Sequence, residues 1–279
     1  MHLWKLLPLA GLAMSLTPSI KPRAAEKPVI VISPGAWQLA EAWLPFSEKL
    51  NEAGIEHYIV PHLTVGGSRD EGLINDTEHL QIVLTSLTDR GKEIILLGHS
   101  YGGAVISGAT EGFDVATRSA RGQPGGVLLT AFMAAFVIPK GHSVLDLLGD
   151  NLLPWMILED GWRVVGDKSL LPEVAFNDFT PDQVEYYSDL MTWSPLRAFQ
   201  EPNLYAPWTK DVPAVYIHTS LDNALPPAQQ QAMAETLSST RLTEFTLETG
   251  HCPWISRPAE TIEVLQAIIG LAESYSAEL

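Results

Sequence analysis

Cysteine is almost absent. Cys252 stands alone among 279 residues, so no intramolecular disulfide can form and cysteine usage does not decide the compartment. Basic residues are scarce too. Seventeen Lys and Arg face 33 Asp and Glu, a formal net charge of −16, and residues 27–279 alone carry about −18 because Lys5, Lys21 and Arg23 outweigh Glu26 in the leader. A surface this acidic repels phosphate backbones, and no Lys/Arg cluster overrides the sign, so nucleic acid is excluded as a partner. The pairs Glu56-His57 and Glu78-His79 belong to no two-histidine motif with ligand spacing, so no metal site is expected. No apolar run reaches the roughly 20 residues that a membrane helix needs, so no stable membrane insertion is expected.

The longest apolar stretch near the start is Leu6 to Leu16, which follows Lys5 and is interrupted by Pro8. It has the n-region and h-region of a secretory signal peptide, with Ala13 and Ser15, or Ala24 and Ala25, as cleavage-site residues. Residues 1–26 therefore read as a signal peptide or a disordered leader. The first gives a secreted or periplasmic address and the second a cytoplasmic one. Beyond it, 46% hydrophobic residues, 18% charged residues and a mean hydropathy of +0.08 describe a chain able to bury one sizeable core. Asn75-Asp76-Thr77 fits a glycosylation acceptor and falls within a helical run.

What the chain does have is an alternation of strand-like and helical runs over most of its length. Strand-like runs occur at Pro28–Ser33, His57–Pro61, Glu93–Gly98, Gly126–Phe132, Ala214–Thr219 and Leu242–Leu247. Apolar residues at three- and four-residue spacing mark helices at Glu41–Ala53, Leu73–Leu87, Ala228–Leu237 and Ala259–Ala272. Strand, helix, strand in succession predicts a mainly parallel six-stranded sheet with helices on both faces. The stretch from about 139 to 210 breaks the pattern. It has no strand-like run but carries Trp155, Trp162, Tyr186, Tyr187, Trp193, Tyr205 and Trp208, and reads as a helical cap inserted over one end of the sheet. Aromatic residues of this kind line pockets for apolar ligands, and Trp37, Trp155, Trp193 and Trp208 are the candidate pocket residues.

Gly98-His99-Ser100-Tyr101-Gly102 follows the apolar run Ile94 to Leu97 without a gap. Gly-x-Ser-x-Gly at a strand-to-helix junction is a nucleophile elbow, in which the serine sits on a strained, exposed corner and side chains at the glycine positions would crowd neighbouring backbone. A serine nucleophile needs a base and a group that orients the base. His251, in the turn after the last strand-like run, is the base; His218 lies inside a strand and is a structural residue. Asp222, after the preceding strand, is the acid, because the other customary position after Gly126–Phe132 holds Met133, Ala134 and Ala135. As a turn residue, Asp222 also fits a purely local role, bonding its own backbone. The oxyanion needs two N–H donors. Tyr101 supplies one and Ala36 in Ser33-Pro34-Gly35-Ala36-Trp37 the other, since Pro34 has no N–H.

With Pro-Gly-Ala-Trp at 34–37, Gly-His-Ser-Tyr-Gly-Gly at 98–103 and Asp222 before His251, the chain resembles the α/β-hydrolases, in the group of small esterases that includes plant methyl-salicylate esterases and hydroxynitrile lyases. The resemblance covers about residues 27–275. It implies the α/β-hydrolase fold, a helical cap, no cofactor, and a serine hydrolase acting through an acyl-enzyme on a small apolar ester, lactone or thioester. One departure is Pro34, where the group usually has histidine; the loop thereby loses a side-chain contact that helps hold it. The lyases of the group have a lysine beside the histidine, and here Cys252, Pro253 and Trp254 supply no cation. Dehalogenases of the fold need aspartate where Ser100 stands. A binding protein or receptor that keeps the triad with little turnover is the alternative of a different class.

Overall fold

The computed structural model describes residues 27–278; the leader expected at 1–26 lies outside them. Val29–Ser33 (β1), Glu93–His99 (β3) and Gly126–Met133 (β4) are continuous apolar runs with at most their first residue partly exposed. Buried on both faces, they form the middle of a six-stranded parallel sheet. With His57–Ile59 (β2), Ala214–Thr219 (β8) and Leu242–Leu247 (β9), its order is β2-β1-β3-β4-β8-β9, all pairs parallel. The outermost strands β2 and β9 carry the partly exposed residues.

Because side chains alternate along a strand, each strand feeds two cores. Val29, Val31 and Leu96 pack with Leu80 and Leu84 of helix α2 (Leu73–Thr88) and Val105 of helix α3 (Gly102–Ala109). Ile30, Ile32 and Leu97 pack with Phe46 and Leu50 of helix α1 (Leu44–Glu52) and with Leu265 and Ile268 of the C-terminal helix Pro258–Glu278. At about 1.5–3 kcal/mol for each fully buried side chain, these two layers are the main source of stability. The fold expected from the alternation is the one observed. No helix among the described residues is long and apolar enough to cross a membrane.

One expectation is corrected. The segment between β4 and β8 is not free of strands: Met156–Glu159 (β5), Arg163–Gly166 (β6) and Ser194–Pro195 (β7) form a small antiparallel sheet among short helices. The hairpin β5–β6 turns on Asp160 and Gly161, both with positive φ, and Trp162 N donates to Glu159 O at 3.1 Å. An Asp-Gly pair is the residue choice that such a left-handed turn demands. Its flanks hide the alternation, since Ile157 and Leu158 are adjacent and both exposed.

Candidate active site

The tight corner after β3 places Ser100 at the C-terminal edge of the sheet with φ +52°, a strained region for a residue with a Cβ. Its amide donates to Met133 O at 3.2 Å, and its carbonyl accepts from Gly103 N and Phe136 N. A Cβ at Gly98 would come within 2.6 Å of Gly102 O, and one at Gly102 would collide with Ser33 O and Pro34 O. The two glycines are there because backbone passes through the space that side chains would fill.

Asp222 and His251 sit on the loops that follow β8 and β9. His251 Nδ1 is 2.8 Å from Asp222 Oδ2, and Asp222 is 1% exposed. Asp222 also makes the local turn bonds expected of its position. Its Oδ1 accepts from Ala224 N at 2.8 Å and Leu225 N at 2.9 Å, while Oδ2 also accepts from Thr219 Oγ1 at 2.9 Å. A further donor escaped the sequence: buried Gln230, in the helix Pro227–Thr236, gives Nε2–H to Asp222 Oδ2 at 3.1 Å and accepts from Thr219 N at 2.9 Å. Asp178 escaped as well. From the segment between β4 and β8 it accepts from Thr249 Oγ1 at 2.7 Å and Gly250 N at 2.8 Å, and so fastens the turn that carries His251. His218 bonds Glu244 at 2.7 Å within the sheet, apart from this site.

His99 lies under the turn. Its Nε2 bonds His251 O at 2.9 Å, and its ring centroid is 4.6 Å from that of His251. Burial, and secondarily the proximity of His251, hold its pKa well below the usual imidazole value, so His99 is a neutral donor. Burial likewise pushes the Cys252 thiol well above its ordinary range, with Asp222 adding to the effect. His99 and Cys252 are therefore both uncharged beside His251.

Ser100 and His251 together line two small adjoining cavities, with Ala36, Trp37 and Trp155 common to both. One, of about 30 Å³, is completed by Val144, Leu148, Met156 and Phe199 among others. The other, about 20 Å³, is completed by Gln38, Phe176, Met191 and Cys252 among others. No Asp, Glu, Lys or Arg lines either. Of the four candidate pocket residues, Trp37 and Trp155 are in the walls, with ring centroids 5.4 Å apart. Trp193 and Trp208 are not among the lining residues. Trp193 Nε1 donates to Gly67 O at 2.9 Å, and Trp208 is buried against Phe132 of β4. Large aromatic side chains in a compact insertion serve its own packing as readily as a pocket.

The loop after β1 is held by distant partners. Trp37, at φ +66°, donates Nε1–H to Val164 O at 2.7 Å and N–H to Ser194 Oγ at 3.3 Å, and its carbonyl accepts from Thr192 N at 2.9 Å. The loop is also held at Pro34, whose carbonyl accepts from His62 Nε2 at 2.8 Å. Among the described residues, the amides of Ala36 and Tyr101 donate to no other group of the chain. No group of three or more His, Cys, Asp or Glu among the described residues is placed to hold a metal ion.

Comparison with known proteins agrees with the fold. An α/β hydrolase of Aspergillus novofumigatus is 25% identical over 252 residues, 88% of this chain and 98% of that protein. A putative chloroplastic methylesterase of Arabidopsis thaliana is 28% identical over 84% of this chain, which spans 61% of its length. Among solved structures, a pyrethroid hydrolase of Sphingobium faniae superposes with a TM-score of 0.67 at 20% identity, over 87% of this chain and 97% of that one. A methylesterase from Arabidopsis gives 0.66 at 21%, over 88% and 99%. The model of the alpha/beta hydrolase family matches residues 29–264, and the chain belongs to that family.

Proposed function

We propose that the protein is a serine ester hydrolase working through an acyl-enzyme, with Ser100 as nucleophile, His251 as base, Asp222 as its orienting acid, and the amides of Ala36 and Tyr101 as the oxyanion hole. The observation that carries this reading is the 2.8 Å bond from His251 Nδ1 to a buried carboxylate, in a residue that shares a cavity wall with Ser100. With Nδ1–H donated to Asp222, Nε2 is left as the acceptor. Ser100 Oγ then bonds to the ester carbonyl carbon while its proton passes to His251 Nε2. The carbonyl electrons move onto oxygen, which takes hydrogen bonds from two amides that have no partner within the chain. Each such donor is worth about two to three orders of magnitude in rate. Collapse breaks the bond to the alcohol, which leaves with the His251 proton. Water repeats the sequence, releasing the acid and restoring Ser100.

Two uncharged cavities meeting at the nucleophile favour a compact, neutral substrate with an apolar group on each side of the carbonyl, since a carboxylate or ammonium group placed there would be desolvated without a counter-charge. Lactones and thioesters offer the same carbonyl and fall within the reading. The esterase names of the relatives point the same way. Hydrolysis of a p-nitrophenyl ester series by the full chain tests it. Activity is expected on short neutral esters, with a loss of about six orders of magnitude in kcat in Ser100→Ala. Retention of a tenth of the activity in that variant, or an intact Ser100 after exposure to a fluorophosphonate, overturns the reading.

A further inference from the structure

Beneath Tyr101 lies a buried carboxylate that the chemistry above does not use. Asp76, in the first turn of α2, is 1% exposed, and three segments of chain converge on it. Its Oδ1 accepts from Thr64 N at 3.1 Å; its Oδ2 accepts from Thr64 Oγ1 at 2.7 Å and from the Tyr101 hydroxyl at 2.9 Å. His62, also buried, places Nδ1 3.9 Å from the same oxygen, and its ring stands edge-on to Tyr101 at 5.2 Å between centroids. The far nitrogen of His62 is the one that donates to Pro34 O.

The two ends of this chain of contacts are the two walls of the proposed oxyanion hole. Tyr101 carries one donor amide. Pro34 is two residues before Ala36, which carries the other. We infer that Asp76 is a positioning residue: through the Tyr101 hydroxyl on one side and through Thr64 and His62 on the other, it holds the elbow and the loop after β1 at the separation that lets both amides reach one oxygen. The inference rests on the esterase reading.

Two arguments favour this over simple packing. A buried carboxylate is an expensive way to fill a core, because apolar residues of like volume avoid its desolvation. What it offers instead is directional bonds that fix the relative placement of three segments. The Tyr101 hydroxyl is also suited to the task. Burial, and then the neighbouring Asp76, push its pKa well above the usual phenol value, so it stays a donor at every pH the protein meets. Electrostatics alone predict the reverse outcome, because a negative charge behind the hole opposes the developing oxyanion. Removing that charge would then raise the rate, which makes the inference open to refutation.

The test compares wild type with Asp76→Asn and Tyr101→Phe, using p-nitrophenyl butyrate for kinetics and a trifluoromethyl ketone, whose adduct with serine carries an oxyanion, for affinity. Misplacing donors by part of an ångström predicts a drop of about 10- to 100-fold in kcat for Asp76→Asn, with KM within about twofold and ketone affinity weakened by the same factor as kcat. Tyr101→Phe keeps the ring and both Thr64 bonds, so it reports the clamp even if Asp76→Asn folds poorly; a loss of about 3- to 10-fold is expected. His62→Gln, which keeps an N–H for Pro34, should retain more activity than His62→Leu. Folded variants with kcat within twofold of wild type, or faster, overturn the role of Asp76 and leave the esterase reading standing. A wild type that neither hydrolyses the ester nor binds the ketone overturns both.

Discussion

The two halves of the proposed active site, acid–base and oxyanion, are held in different ways. The acid–base half is tied together close to home: Asp222 is fixed by Thr219, Ala224 and Leu225, all within three residues, and by Gln230, eight residues along. The oxyanion half depends on distant chain. Trp37 is bonded to Val164 and Ser194, 127 and 157 residues away, and Pro34 to His62, 28 away. On the His251 side the long ties are Asp178, which holds Thr249 and Gly250, and His99 of β3, which bonds His251 O. The sheet and its own loops are therefore sufficient to orient the acid, whereas the oxyanion loop takes its shape from the segment between β4 and β8 and from the turn after β2.

The largest effect that separates the halves comes from Asp222→Asn. It keeps an oxygen for the amides of Ala224 and Leu225 but loses the carboxylate that selects the His251 tautomer, so kcat should fall by about four orders of magnitude with the protein still folded. Ser194→Ala is its counterpart on the other half. It removes one bond to Trp37 N, and a several-fold loss in kcat without change in the pH profile is expected from steady-state kinetics. Equal losses in the two variants would erase the distinction.

Gln230→Leu probes stability more than chemistry. It strands the amide of Thr219 and removes a donor from Asp222, and each unsatisfied buried group costs about 1–3 kcal/mol. A drop of about 2–4 kcal/mol in urea unfolding is expected. An unchanged midpoint would mean that the local ties do not hold the acid.

The smallest effect concerns His99. Its native pKa is depressed, so as pH falls below the ordinary value of about 6.5 the unfolded chain takes a proton that the native state refuses, and stability declines. The contribution is complete above that pH and is lost on the way down to the native pKa. His99→Gln keeps a donor for His251 O and removes the titration. Between pH 7.5 and 5, wild type should lose more unfolding free energy than the variant; equal losses would refute the assignment.

The same contrast of local and distant explains what was legible in the sequence. Continuous apolar runs gave β1, β3, β4 and β8 to within a residue or so, because strands buried on both faces need no partner to be recognised. The tight corner at Ser100 is legible from its glycines, and the nearness of His251 to Asp222 from their places after strands. Gln230 is not: it lies between Gln229 and Gln231, and only the packing of its helix decides which of the three is buried. Asp76 read as the middle of a glycosylation pattern, since nothing in Asn75-Asp76-Thr77 announces that its carboxylate meets Tyr101. In the structure Asn75 instead accepts from Gly72 N at 3.0 Å at the start of α2. The hairpin β5–β6 was signalled only by Asp160-Gly161, against flanks whose exposed apolar residues obscure the period.

The hydrogen bonds that Trp37 makes to Val164, Thr192 and Ser194 also bear on how this protein could be re-engineered. The segment covering the site looks like a removable module on which to swap substrate preference. Yet its backbone and one of its hydroxyls shape the very loop that carries Ala36. A graft that brings a foreign cover without groups facing Trp37 would change turnover before it changed selectivity, so cover and loop are to be exchanged as one unit.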